Sequence, residues 1–433
     1  MIVAWNGLGL AYGNLGHRDS AIAVYERILR HPDRLSLVWR TFVEGALQSL
    51  SGEYALHLSS MERLARDPTR GPGTLPNLAL ALSYMGRYRE AVEICQRELR
   101  AGHPFEEIIR QNLTFFWVAL DEPDSAQAVA DAIRDPERRN IGLLGVALAR
   151  GQGAGIERNA QRLLSTHGIL ASSRECALTA LAGREANRGQ VEDGWRMLGR
   201  AAIETEQGQD LMILNRRYWS QALFILANGP MPTSMPPNPD RTGSMNSEIA
   251  SGVEALLQGD PGRARGIAAR LERRFSTRPG MLERIPALMR AWAAQIENRP
   301  SEVIEQASLV LADAGMNNFF PAKLPAARWL IGRAFESLAQ PDSAAHHYRA
   351  ALARTGPWET DQASAALIER PVRMRLVIAE LRAGRPEVAR KEREYLARTV
   401  DRPDAIAARE LEEVDLLLGM GAQGDAPAAS GRR

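Results

Sequence analysis

Apolar residues recur every three or four positions along most of the chain, as in Leu78/Leu82 and Ile267/Leu271. That is the period of one helix face, not the alternation of a strand. The runs are short and are separated by turns rich in Gly and Pro. The pattern therefore predicts many short amphipathic helices and no sheet. A longer period lies over the first. Ala21, Ala55, Ala91, Ala126 and Ala160 stand 34, 36, 35 and 34 residues apart, each early in an apolar run. A period near 34 is two helices and their turns, so the spacing predicts a stack of helix–turn–helix units. In such a stack each unit contacts only its neighbours, so a chain of 433 residues needs no division into globular domains.

The first unit carries the fullest pattern: Trp5, Leu8, Gly9 and Tyr12, then Gly16, then Ala21, Tyr25 and Ile28. The small residues Gly9 and Ala21 let two antiparallel helices touch. The large ones fill the space toward the next pair. This pattern resembles the tetratricopeptide repeat (TPR). The resemblance implies an all-α, right-handed superhelix of about ten hairpins, a TPR-type α-solenoid. Further copies follow from Trp39 and Phe42 through Gly52, from Leu78 through Gly86 to Cys95, and from Leu113 to Ala126. Pro68, Pro104 and Pro136 close the second, third and fourth copies, where a helix cannot continue. Weaker copies use Leu144, Gly145 and Ala160, then Leu181, Gly189 and Ala201.

One more first helix is expected over Leu211 to Ala227. Residues 228–245 then hold five prolines among Gly, Ser, Asn and Thr, which a packed helix does not tolerate. The chain accordingly divides into an N-terminal arm (1–227), a Pro-rich linker (228–245), a C-terminal arm (246–420) and a disordered tail (421–433). The second arm resumes at Gly252 and Ala255 and has its best copy at Trp329, Gly332, Ala344 and Tyr348. A last copy uses Leu376, Gly384, Ala389 and Leu396, and a helix from Asp404 to Leu418 is expected to cap the stack.

Segments 47–55, 78–91, 255–264 and 330–348 also resemble the helical C-terminal half of large bacterial signalling proteins. In those, TPRs follow a Ser/Thr kinase domain, a winged-helix regulator or a nucleotide cyclase. That resemblance implies a sensory or regulatory module whose effector domain is absent from this chain. No effector activity carries over.

Composition adds limits. Fifty-four basic residues face 52 acidic ones, for a net charge of +2, so no global field steers the chain onto nucleic acid or an anionic membrane. No window is long and apolar enough to span a bilayer. Cys95 and Cys176 fall within separate predicted helices and read as buried free thiols of a reduced compartment, the cytoplasm.

Motifs that suggest chemistry fail on context. His17-Arg18-Asp19 begins like a kinase catalytic loop but lacks the metal-binding Asn and Asp. Gly7, Gly9 and Gly13 lie within a helix rather than after a strand. Gly151, Gly153 and Gly155 precede a helix without a strand before them, and read as an inter-helix turn. The histidines have no metal-ligand spacing. Arg263, Arg265, Arg270, Arg273, Arg274 and Arg278 form the densest basic run, read as a solvated face because Glu272 interleaves and no stacking aromatics accompany it. No catalytic, cofactor or metal residue is assigned, and the chain is not expected to be an enzyme.

The TPR resemblance implies a concave face lined by the first helix of each hairpin. By position it includes Asn6, Arg40, Glu44, Asn77, Tyr84, Gln111, Asn112 and Phe115, with Trp329 and Arg333 in the second arm. Such a groove takes an extended or helical peptide or a partner domain. The carboxylate clamp of chaperone-binding TPRs needs a Lys that the first three repeats lack, so that mode is not expected. The exposed first repeat is a candidate for self-association.

Overall fold

The computed structural model describes residues 2–14, 17–205, 211–229, 245–275, 284–312, 323–352 and 359–419. Among them there are 23 α-helices and no strand. The first arm opens with α1 (Ile2–Asn14) and α2 (Arg18–Leu29), then α3 (Leu37–Ser51) and α4 (Tyr54–Arg66). It continues with α5 (Thr74–Tyr84) and α6 (Tyr88–Arg100), and α7 (Glu106–Ala119) and α8 (Pro123–Asp131). Next come α9 (Pro136–Arg150) and α10 (Gly153–Ser165), α11 (Ala171–Asn187) and α12 (Val191–Thr205), and α13 (Leu211–Asn228) alone.

After residues 230–244, α14 (Met245–Leu257) pairs with α15 (Pro261–Phe275) and α16 (Arg284–Ile296) with α17 (Pro300–Leu311). Helix α18 (Lys323–Ser337) pairs with α19 (Pro341–Leu352). A short α20 (Glu359–Ala366) precedes the pair α21 (Glu369–Arg382) and α22 (Pro386–Thr399), and α23 (Ala405–Leu417) follows. All but a few residues of the expected linker, and the whole tail at 421–433, lie outside the described residues.

Several hairpins close where a side chain is missing. A Cβ on Gly9 would lie 2.7 Å from the Tyr25 ring, and one on Gly45 would lie 2.6 Å from Met61 Cε. Gly252 stands in the same relation to Met289 at 2.7 Å, across two hairpins. The large partner fills the space that the glycine leaves, which is how an interior reaches crystal-like density. Ala21, Ala91, Ala126 and Ala160 are fully buried, as their spacing predicts. Ala55 is the exception and is exposed. The fourth position of α4 is His57, not an alanine, so this repeat is offset by two residues. The ring fits there because Gly45 faces it, and its Nδ1 donates to the Gly45 carbonyl at 2.9 Å.

First helices of neighbouring hairpins touch along both arms, as α5–α7, α7–α9, α9–α11, α14–α16 and α16–α18 do. The second helices approach one another less. A stack built this way curves with its first helices inside.

The curve brings distant parts together. Helix α20, which the hydrophobic period did not single out, packs across α9 and α11, and α21 contacts α11 and α13. A Cβ on Gly183 of α11 would lie 2.8 Å from Ala366 Cβ and 3.0 Å from its backbone carbon. The segment before α23 pairs with the α11–α12 turn: Asp404 N–H donates to the Gly189 carbonyl at 2.8 Å, and Arg402 N–H to Arg188 at 3.2 Å. Asp404 caps α23 at the Ile406 and Ala407 amides and also accepts from Glu192 N–H at 3.0 Å. At the far end Arg274 of α15 pairs with Asp19 of α2 at 2.7 Å.

Inner helices of the second arm are accordingly covered nearly all round. Ile285 to Ala294 of α16 is buried except Arg290, and α21 buries residues on every face, Arg370 and Glu380 among them. A helix that is buried all round belongs to a core and offers no groove. Arg370 pairs with Glu410 and donates to Asn228 Oδ1 at 2.7 Å, though its Nε finds no partner among the described residues, and Glu380 pairs with Arg349 and Arg385. Buried charge of this kind survives only when paired.

Turns between paired helices need a left-handed residue. Gly52 (φ 77°) and Gly151 (φ 63°) supply it, but Ala339 takes the same role at φ 54°. A Cβ is disfavoured there. Ala339→Gly is expected to stabilise the chain by about 1 kcal/mol, read as a higher midpoint in urea unfolding. An unchanged or lower midpoint would contradict the turn assignment.

Candidate functional site

Of the residues expected on the inner face of the first hairpins, Arg40 is exposed and the others are partly or fully buried. Arg40 and Glu44 lie one turn apart on α3 and form an ion pair at 2.9 Å, with the Arg40 side chain 53 % exposed. Arg63 of α4 reaches Glu44 at 3.8 Å. Asn77 of α5 is half-buried. Gln111 of α7 is tied to the next repeat, accepting from Arg138 Nη1 at 2.6 Å. Asn6 and Asn112 are mostly buried, and Asn6 Oδ1 has no hydrogen-bond partner among the described residues.

Aromatic residues expected on this face sit deeper. The Tyr84 ring packs tilted against Tyr54 at 5.1 Å and lies 6.3 Å from His57, and burial raises its phenol pKa. Phe115 is 1 % exposed, inside an apolar cluster that joins α9, α10 and α11 to Ala363 of α20. The groove at that level is filled by the chain itself. Trp329 is 3 % exposed, with the Arg333 guanidinium 5.8 Å above its ring. Both border an open cleft of about 300 Å³ that α21 and α23 also line. The structure thus pairs Arg40 with Glu44 on α3, leaves Asn77 half-buried on α5, ties Gln111 into the stack, and sets Phe115 and Trp329 in the core.

Residues that spacing did not reveal hold the repeats in register. Glu107 at the start of α7 accepts from the Arg134 and Asp135 amides at 2.9 and 3.1 Å. Glu137, at the start of α9, accepts from the Leu170 amide at 3.1 Å and from the Ser173 hydroxyl at 2.6 Å. Each carboxylate satisfies the chain that enters the next first helix. The sequence signal was an acidic residue in the first turn of α7 and of α9. His103 does similar work: its Nδ1 accepts from Phe105 N–H and its Nε2 donates to Pro72 O at 2.7 Å.

Other chemical features are absorbed by the fold. Burial pushes the Cys95 thiol up to about 12, which leaves it inert as a nucleophile, and Cys176 is free and buried too. Arg265 of the basic run is held between Glu297 and Glu302, at 2.7 and 2.5 Å, and Arg263 faces Glu254. Arg278 lies outside the described residues. Among those residues no group of three or more His, Cys, Asp or Glu is placed to hold a metal ion, and no helix is long and apolar enough to cross a membrane.

Comparison with known proteins agrees with the repeat type. Residues 2–30 and 74–107 match models described as tetratricopeptide repeat. Among solved structures, the chain is similar to one in the APC/C hetero-tetramer Cut9–Hcn1, at 13 % identity and TM-score 0.40, over 97 % of this chain and 84 % of that one. It is similar to yeast Tom70 at 10 % identity and TM-score 0.30, over 97 % and 96 %. No curated protein sequence matches. With its stacked hairpins, the chain is an all-α TPR-type solenoid. The two model matches concern repeat type alone and do not single out repeats joined to kinases or winged-helix regulators.

Burial pushes the His57 imidazole down from 6.5 to about 4, so it is neutral at pH 7. The unfolded chain therefore takes up this proton first. The stability carried by the neutral ring is full above about pH 6.5 and is lost as pH falls toward 4. Between pH 7.5 and 4.5 this residue should account for about 2–3 kcal/mol of lost stability. His57→Gln should flatten that part of the urea-midpoint profile, and an unchanged profile would show that the ring is not buried.

Proposed function

We propose that this chain is a non-catalytic scaffold that docks a protein or peptide partner on the inner face of its first hairpins. The observation that carries the reading is a contrast along the stack: Arg40 is exposed and Glu44 and Asn77 are half-buried on α3 and α5, whereas α11 and the first helices of the second arm are covered. An inner face with exposed charge and amide groups suits a partner helix or extended segment that supplies complementary groups. Nucleic acid is not the expected partner, because Arg263, Arg265 and Arg274 of the basic run each face a carboxylate. The buried free cysteines support a reducing compartment, the cytoplasm. Self-association through α1 belongs to the same reading, since Val3, Leu8 and Leu10 are exposed on a helix without charge.

Closure of the second arm favours a second reading, a regulatory module of a signalling protein that answers to a docked partner. On that reading, partner binding changes amide exchange in α20. On a passive-scaffold reading it does not.

Crosslinking from Asn77 identifies the partner and titration measures it. Arg40→Glu and Asn77→Arg should each weaken binding by about tenfold or more. Arg97→Glu, on an exposed part of α6, should leave it unchanged. Equal binding by all three variants would overturn the inner-face assignment.

A further inference from the structure

The covered inner helices of the second arm still leave a concavity between them. It is an open cleft of about 300 Å³ that α13, α16, α18, α21 and α23 all line. A helix about 10 Å across does not enter a space of this size, whereas a small molecule does. Leu226, Trp329, Met374 and Ile378 give the cleft an apolar wall. The last three are buried, so their side chains hold fixed positions in that wall.

Three inner helices each bring one hydrogen-bond donor to the same cleft: Gln295 from α16, Arg333 from α18 and Arg375 from α21. All three are half-buried. The side chains of Gln295 and Arg375 make no hydrogen bond or ion pair among the described residues. Arg333 faces Glu336 at 3.7 Å, well beyond the roughly 2.7–2.9 Å of a charge-assisted hydrogen bond. Other half-buried guanidinium groups of this arm are spent on carboxylates, as Arg265 on Glu302 at 2.5 Å and Arg393 on Asp415 at 2.6 Å. Burial holds the Tyr348 hydroxyl well above its ordinary pKa, and the positive fields of Arg333 and Arg375 both oppose that rise. The two guanidinium groups therefore stand at one corner. From α23 come Glu410, which Arg370 engages, and the exposed Glu413. Two cations thus share the lining with two carboxylates, and a second negative charge on a ligand would be opposed.

We propose that this cleft binds a small monocarboxylic acid with an apolar body. Its carboxylate accepts from Arg375 and Arg333, whose forked donors match that group, and Gln295 supplies a third donor. The body lies along Trp329, Met374 and Ile378. A mostly apolar concavity with a few convergent polar groups is the usual form of a small-ligand site. The proposal goes beyond docking on the first hairpins and uses none of Arg40, Glu44 or Asn77, so the two fail separately.

The probe is 4-fluorophenylacetate, followed by fluorine NMR as the full chain is added. For a ligand of this size a dissociation constant of about 1 mM is expected. The neutral 4-fluorophenylacetamide should bind about fivefold more weakly or worse, and 4-fluorobenzylphosphonate, at a pH where it carries two charges, no more tightly than the acid. Arg375→Gln and Arg333→Gln should each weaken binding of the acid by about fivefold or more. Arg382→Gln, on an exposed part of α21, should leave it unchanged. If Arg375→Gln does not fold, Arg333→Gln decides. Equal binding of acid and amide, wild-type affinity in the folded variants, or no binding of the acid at about 10 mM would overturn the site. Tighter binding of the phosphonate would overturn the monocarboxylate assignment.

Discussion

Two helices approach only as closely as the side chains between them allow, and at the crossings that define this chain one partner has none. Gly9 meets Tyr25, Gly45 meets Met61, and Gly332 meets Tyr348, in each case at a spacing no Cβ would permit. The bulky partner then fills the vacant volume and gains the dispersion contacts that a void would forfeit. The same device recurs between distant parts. Gly183 receives Ala366, and Gly189, at φ 93°, leaves room for Val400 and Pro403. These hairpins and the closure of the stack therefore share one steric condition.

Closure divides the labour of the inner surface. In the second arm the inner helices are spent on the core, and their charges, such as Glu380 between Arg349 and Arg385, are satisfied internally. At the start of the first arm α3 keeps the charge of Arg40 at the surface, and carboxylates such as Glu107 and Glu137 link each repeat to the next. Ordered repeats that present accessible polar groups in a curved row are what a docking surface needs. The middle of the stack, where α20 lies across α9 and α11, is the boundary between these regimes.

The hairpins were legible in the sequence because their determinants are local. A glycine or alanine and its large partner lie within one repeat, and the turn glycines lie between them. The alanine ladder misled at Ala55 because a histidine took the buried position two residues on, with Gly45 making the room. Phe115 and Trp329 read as groove aromatics because periodicity tells which face a residue is on, but not what covers that face. What covers Phe115 includes α20, some 250 residues away, and no local pattern carries that information. For the same reason α20 itself was missed: it is one short helix whose small residues signify only against Gly183.

The most direct test of closure is the sign of one stability change, that of Gly183→Ala, measured by thermal unfolding of the full chain. If the groove is occupied as described, the added methyl meets the Ala366 backbone and the midpoint falls, by an overpacking cost of about 1–3 kcal/mol. If the inner face of α11 is open, alanine in place of a helical glycine stabilises by about 0.5–1 kcal/mol and the midpoint rises. A rise would contradict the account.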